Sequence, residues 1–202
     1  CLVGSEMCIR DSAKTMGKQV EWVDIDFKGL IPGLISKRFD MAVSAIYITD
    51  ERKKVVDFTD SYYAGGLVVM VKADNKAINK LADLDGKKVS VQVGTKSVAY
   101  LTEKFPKVQR VEVEKNQEMF NLVDIGRADA AVTGKPAAFQ YVRTRPGLRV
   151  LDEQLTTEEY GMALRKDTPE LTKAVNGAIT KLKADGTYAA IVKKWFSNGA
   201  AK

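Results

Sequence analysis

Three features of this sequence predict an α/β fold. Short apolar or alternating runs that read as strands are separated by stretches with helical periodicity. The strand and helix rhythm starts afresh after residue 72, so the chain reads as two βαβ-rich halves and hence two lobes. Hydrophobic residues at 45% and charged residues at 29% are an ordinary globular balance, and 202 residues are enough for two small cores.

Ala13 to Gly17 reads as the end of a helix, because glycine is favoured just past a C-terminus. "QVEWV" (19–23) alternates as a strand. In "FKGLIPGLISK" Leu30, Ile31, Leu34 and Ile35 share one helical face, and after Asp40 the run "MAVSAI" reads as a strand buried on both sides. Strand, helix and strand in this order predict a parallel βαβ unit. "GGLVVMVK" (65–72) is a further buried strand. "KKVSVQV" (87–93) is a strand that turns through "GTKS" into a helix carrying Val98 and Leu101. "VQRVEVE" (108–114) alternates, and Met119, Phe120, Leu122 and Val123 mark a helix ended by Gly126. "DAAV" (129–132) is a strand, with Pro136 where a helix begins. "LRVL" (148–151) and "YGMALR" (160–165) are strands. Pro169 opens a helix with Leu171, Val175, Ile179 and Leu182 on one face, stopped at "ADG", and a last helix carries Tyr188, Ile191, Trp195 and Phe196.

Composition excludes several functions. No run approaches the roughly 20 apolar residues that span a bilayer. The net charge is +6, with lysines spread along the whole chain rather than clustered with aromatics, so no nucleic-acid partner is expected. There is no histidine, which removes His-based triads, Cys-His nucleophiles and most zinc sites. No catalytic residue, metal or cofactor is expected. Both cysteines, Cys1 and Cys8, lie in "CLVGSEMCIRDS", a segment without a clean period whose end resembles translated sequencing-adapter read-through. Residues 1–12 therefore read as a non-native leader; the alternative is a genuine N-terminal segment with two thiols or one disulfide.

The chemistry concentrates in "SAIYITDERKKVVDFT" (44–59). If Met41 to Ile46 is a parallel strand, "AIYIT" lies at its carboxyl end, where open α/β sheets place ligands. Arg52, one turn later, then offers a carboxylate its planar fork, two charge-assisted hydrogen bonds in a fixed geometry. The alternative is a surface pairing with Asp50, Glu51 or Asp57.

"AIYITDERKKVVDFTDSYYAGGLVVMVK", "LADLDGKKVSVQVGT", "GRADAAV" and "LTKAVNGAITKLKADGTYAAIVKKWF" together resemble the bacterial extracytoplasmic amino-acid-binding proteins of ABC importers, solute-binding protein family 3, its glutamine-binding members in particular. The likeness runs from about Ser12 to Phe196. It implies the periplasmic-binding-protein type II fold: two α/β lobes, a ligand cleft and two hinge crossings, near Leu67–Val71 and Tyr160–Leu164. Lobe I would be residues 13–67 and 163–202, lobe II residues 68–162, and lobe I would be incomplete at its N-terminus, with its first strand and one cleft acid upstream of Ser12.

By motif position the resemblance gives Ala45 the role of presenting backbone groups to the ligand. Tyr47 stands where a small hydroxyl residue is usual and would narrow the cleft. Phe27 would cover the ligand's aliphatic part, or else be an ordinary core phenylalanine. In "QVGTKS", Gly94 would permit close backbone approach, Thr95 would bind the α-carboxylate with amides and hydroxyl at a helix start, and Gln92, in place of a lysine, argues for a polar, uncharged ligand end group. The departure is at Thr133 and Gly134, because an aspartate that neutralises the ligand's ammonium is common where Gly134 stands. Burying an ammonium without a counter-charge costs several kcal/mol. Either another carboxylate serves, the amine stays hydrated, or the ligand has no α-ammonium. Lys135 would favour an extra anionic group if it points inward, and otherwise is an exposed residue beside a helix start.

The function implied is capture of a polar, glutamine-like amino acid and its delivery, by hinge closure, to a membrane permease. The protein would work as a monomer in the periplasm, or lipid-anchored at the outer surface of a Gram-positive cell. Three other readings stand beside it: the input domain of a receptor or histidine kinase, a cyclohexadienyl-dehydratase-like enzyme with Glu158 or Glu159 as general acid, and a purely structural domain.

Overall fold

The computed structural model describes residues 10, 13, 14 and 17–196, with the side chains of 194–196 set aside. The chain forms two compact units. Unit 1 gathers the described residues up to Ile25, Gly29–Ala64 and those from Glu158 onward; unit 2 holds Asp26–Lys28 and Gly65–Thr157.

Unit 1 opens with a 3-10 turn (Phe27–Gly29, shared with unit 2) leading into helix α1 (Leu30–Ile35). Strand β1 (Met41–Tyr47), the one-turn helix α2 (Asp50–Lys53) and the short strands β2 (Asp57–Phe58) and β3 (Tyr63–Ala64) follow. The unit is completed from the far end of the chain by β9 (Glu159–Leu164), α6 (Pro169–Ala184) and α7 (Thr187–Phe196). Its sheet runs β1-β9-β2, with β3 also on β9, and every one of these pairs is antiparallel. Val175, Ala178, Ile179 and Leu182 form the buried stripe of α6 at the helical spacing their sequence positions require.

Unit 2 carries β4 (Leu67–Lys72), β5 (Lys88–Gln92), α3 (Lys96–Lys104), β6 (Gln109–Val113), α4 (Asn116–Asp124), β7 (Ala130–Gly134), α5 (Lys135–Val142) and β8 (Leu148–Gln154). Its sheet order is β6-β5-β7-β4-β8. Strand β5 is parallel to β6 and β7, while β4 is antiparallel to β7 and β8. The helices between the parallel strands cover the sheet, so β4 and β7 are largely apolar, Lys72 and Thr133 excepted, and almost wholly buried. Met119, Phe120 and Val123 of α4 pack on Met70, Val113 and Ala131.

Several expectations are corrected. Residues 19–23 form no strand: Trp22 and Val23 are exposed, and no strand among the described residues runs beside them. An alternating segment becomes a strand only when a ladder partner accepts its N–H and C=O groups. Among the described residues strand β1 has no parallel neighbour: it pairs with β9, running the other way, and it is buried at three of its seven positions rather than on both faces. Ile35 is exposed instead of sharing the buried face of Leu30 and Leu34. Besides the short stretch Asp26–Lys28, the units divide at 64/65 and 157/158, since β9 pairs along its length with strands of unit 1 and β4 with strands of unit 2. The expectations for residues 1–12, Arg10 excepted, and for the side chains of Trp195 and Phe196 lie outside the described residues.

Candidate functional site

Ala45, Tyr47 and Arg52 fall on one strand-to-helix turn of unit 1. The register of β1 on β9 shifts between Ala42 and Ile46, and Ala45 within that bulge has φ +49. A left-handed alanine costs about 1–2 kcal/mol, so the surrounding ladder holds it there. Residues 43–45 lie between the paired positions.

Beyond the strand, the Thr49 hydroxyl accepts the Arg52 N–H at 3.3 Å and caps α2. The guanidinium turns back so that Nη1 donates to the Tyr47 carbonyl at 2.9 Å. Partial withdrawal from water lowers its pKa from the ordinary value, with Glu51 opposing, yet an arginine remains charged. The side chain is thus half-buried and oriented rather than sweeping through solvent.

Tyr47 is packed into a cluster of tyrosines. Its ring is 6% exposed and stacks on Tyr160 with centroids 4.5 Å apart, and the Tyr160 hydroxyl donates to the Tyr47 hydroxyl at 2.9 Å. Tyr62 and Tyr63 stack on the same Tyr160 ring at 6.4 and 6.3 Å. Burial first, then the Tyr47 neighbour, raises the Tyr160 phenol far above its usual pKa. The ring expected to narrow a ligand space is spent on a tyrosine cluster, and Tyr160 is a residue that sequence reasoning missed.

In unit 2, Gln92 ends β5 and its Nε2 donates to the Glu114 carbonyl at 2.9 Å. Gly94 has φ +75, and a Cβ there would lie 3.2 Å from Cα and Cβ of Lys28, so its close approach is to this chain's own backbone. Lys28 in turn pairs with Glu114 at 2.6 Å, which raises the Lys28 pKa. Thr95 precedes α3, but its hydroxyl donates to the Gln92 carbonyl at 2.7 Å. The hydroxyl is thus engaged within its own turn, and it does not cap α3. Phe27 is half-buried on its 3-10 turn, hence no ordinary core phenylalanine.

Thr133 is buried near the end of β7, and Gly134 both pairs with Leu67 and forms the cap position of α5. Lys135 is exposed; its Nζ lies 3.4 Å from Gln154 Oε1 and 6.0 Å from the Phe139 ring centroid. Sequence reasoning missed Gln154, Gly66, Lys28 and Glu114. The Gly65-Gly66 pair was the one signal available, and at Gly66 it marks a backbone with no room for a side chain.

A family model of bacterial extracellular solute-binding proteins, family 3, matches residues 5–198. The L-cystine-binding protein TcyJ of Escherichia coli (strain K12) is 35% identical over 192 residues, covering 94% of this chain and 72% of that protein. The ABC transporter glutamine-binding protein GlnH of Bacillus subtilis (strain 168) is 32% identical over 186 residues, covering 92% of this chain and 68% of that one. Among solved structures, the ancestral amino acid-binding protein AncCDT-1, a precursor of cyclohexadienyl dehydratase, matches with a TM-score of 0.89 and 39% identity, over 96% of this chain and 85% of that chain.

Proposed function

Because this chain belongs to the bacterial extracellular solute-binding proteins of family 3, with the periplasmic-binding-protein type II fold, we propose that it captures a polar, uncharged amino acid such as glutamine outside the cytoplasm and delivers it to the permease of an ABC importer. Arg52 takes the ligand carboxylate, backbone groups at Ala45 and the α3 start add to it, and Gln92 meets the side-chain end. Phe27 covers the aliphatic part, Gly94 and the Thr133–Gly134 segment complete the set, and ligand-driven hinge closure yields the form the permease recognises. The protein works as a monomer, in the periplasm or held at the outer surface by a lipid anchor, without nucleic acid or cofactor. No helix among the described residues is long and apolar enough to cross a membrane.

The observation that carries the reading is the Arg52 fork, held on a capped turn by the Tyr47 carbonyl at 2.9 Å immediately beyond β1. Its test is a thermal melt of the protein against the twenty amino acids and small mono- and dicarboxylates. Binding to the folded state alone adds about 2.7 kcal/mol at a hundredfold excess over Kd. An upward shift with one polar amino acid is the expected result. A cooperative melt that no amino acid moves sinks the amino-acid assignment, and a shift with a carboxylate alone identifies a ligand without an α-ammonium, in keeping with Gly134.

The likeness to a precursor of cyclohexadienyl dehydratase supports a second reading, an enzyme of that kind. Glu158 or Glu159, at the start of β9, would be its general acid. Turnover of a cyclohexadienyl acid, followed by absorbance, decides between them.

A further inference from the structure

We infer that Gln154 is a positioning residue for the turn formed by Thr133, Gly134 and Lys135, fastening it to the two end segments of the 65–157 stretch of unit 2. The inference rests on the reading of that turn as ligand-binding only for its effect on affinity; the fastening stands on geometry alone.

Three features meet at the Gln154 side chain. Its Nε2 donates to the carbonyls of Gly65, at 3.1 Å, and Thr156, and its Oε1 faces Lys135 Nζ at 3.4 Å. Gly65 opens the long stretch of unit 2, after the division at 64/65, and Thr156 lies just before its close at 157/158. A carboxamide is the one neutral side chain that donates two hydrogen bonds and accepts others from a single planar group, and here both capacities are used.

The backbone around it repeats the connection. Lys135 N–H donates to the Gly66 carbonyl at 2.8 Å, and Leu67 N–H donates to the Thr156 hydroxyl at 2.9 Å. Gly66 has φ +142, and a Cβ there would sit 2.1 Å from both Gln154 Nε2 and the Thr156 carbonyl oxygen. The carboxamide therefore occupies the space that any other residue at 66 would fill. The Lys135 amide, the first after the α5 cap, hangs on a carbonyl of the same peptide segment that Gln154 pins.

Gln154→Met keeps the volume and removes every hydrogen bond of the carboxamide; Gln154→Glu keeps an acceptor for Lys135 but sets a carboxylate against two carbonyls. Amide hydrogen exchange of the ligand-free protein reads the fastening directly. We expect exchange at the Lys135 and Leu67 amides to rise about tenfold in both variants, with the β9 amides unchanged. Affinity for glutamine, by calorimetry, should fall about threefold to tenfold for each hydrogen bond that serves binding. Unaltered exchange at Lys135 and Leu67, or exchange raised alike across both units, overturns the positioning role. So does faster local exchange with glutamine affinity intact. If the unmodified protein binds no glutamine, the ligand assignment falls, and the exchange measurement alone still decides the fastening.

Discussion

Arg52→Ala separates binding from folding. The side chain contributes twice in this reading. Toward the ligand, its fork makes two charge-assisted bonds to a carboxylate, and losing them costs about 2–3 kcal/mol, or about a hundredfold in Kd. Toward the fold, its Nη1 holds the Tyr47 carbonyl at 2.9 Å, one half-buried hydrogen bond worth about 1 kcal/mol. In a chain of 202 residues that lowers the Tm by about 2–4 °C. The two costs should therefore appear in very unequal measure. Isothermal calorimetry with the amino acid picked out by the melt gives the first, and a thermal melt of ligand-free protein gives the second. Arg52→Lys, which keeps the charge and loses the plane, should lie between, about tenfold weaker in binding. A Kd within threefold of the original, in a variant whose melt remains cooperative, refutes a role for Arg52 in the site. A melt that collapses refutes the apportioning instead, because Arg52 would then be chiefly a structural residue.

Two further tests follow from the same geometry. The Tyr160 phenol holds its proton far above the usual range, so above about pH 10 unfolded tyrosine ionises while the folded residue stays neutral; the folded state then binds more protons, and stability falls as pH rises, by about 1.4 kcal/mol per pH unit for that residue. Tyr160→Phe should remove that portion of the slope in urea titrations at pH 10 to 11.5, and an unchanged slope contradicts the burial argument. Gly66→Ala sets a Cβ against the Thr156 carbonyl at 2.1 Å and should cost at least about 3 kcal/mol, read as a lowered urea midpoint at constant m; a loss under 1 kcal/mol contradicts it.

Unit 2 was legible because its information is local. Runs such as "GLVVMV" and "KVSVQV", alternating with helical periods, read as buried strands covered by helices, and they are; direction was less legible, since β5 is parallel to its neighbours and β4 antiparallel to both of its own. Unit 1 was less so. "QVEWV" carries the same alternation as β6, but alternation reports only that a segment suits a strand, and a partner decides whether it becomes one. At the site, Arg52 could be found from its distance to an apolar strand and a Thr-Asp cap. The direction of Tyr47 could not, because a period of two reads through Met41–Tyr47 as though it were regular, and the bulge with its left-handed Ala45 resets which face the next residues occupy. Gln154 and Gly66 were invisible for a third reason: their meaning lies in an encounter between segments 88 residues apart, the difference between the two positions, and nothing in either segment announces the other.

The antiparallel pairing on β9 also orders events in time. Tyr47 and Tyr160, opposite one another in the finished sheet, are 113 residues apart in the chain. On the ribosome, at about 5–20 residues per second, β1 therefore waits several seconds for the strand that completes it, while residues 65–157 supply every strand of the other sheet from one continuous segment. The sheet of unit 2 thus needs one contiguous stretch of chain, whereas the sheet of unit 1 needs strands from both ends of the sequence. Until β9 is available, β1 with its apolar Ile46 and Tyr47 lacks the ladder partner that buries it, and such an unpaired edge is a site of aggregation.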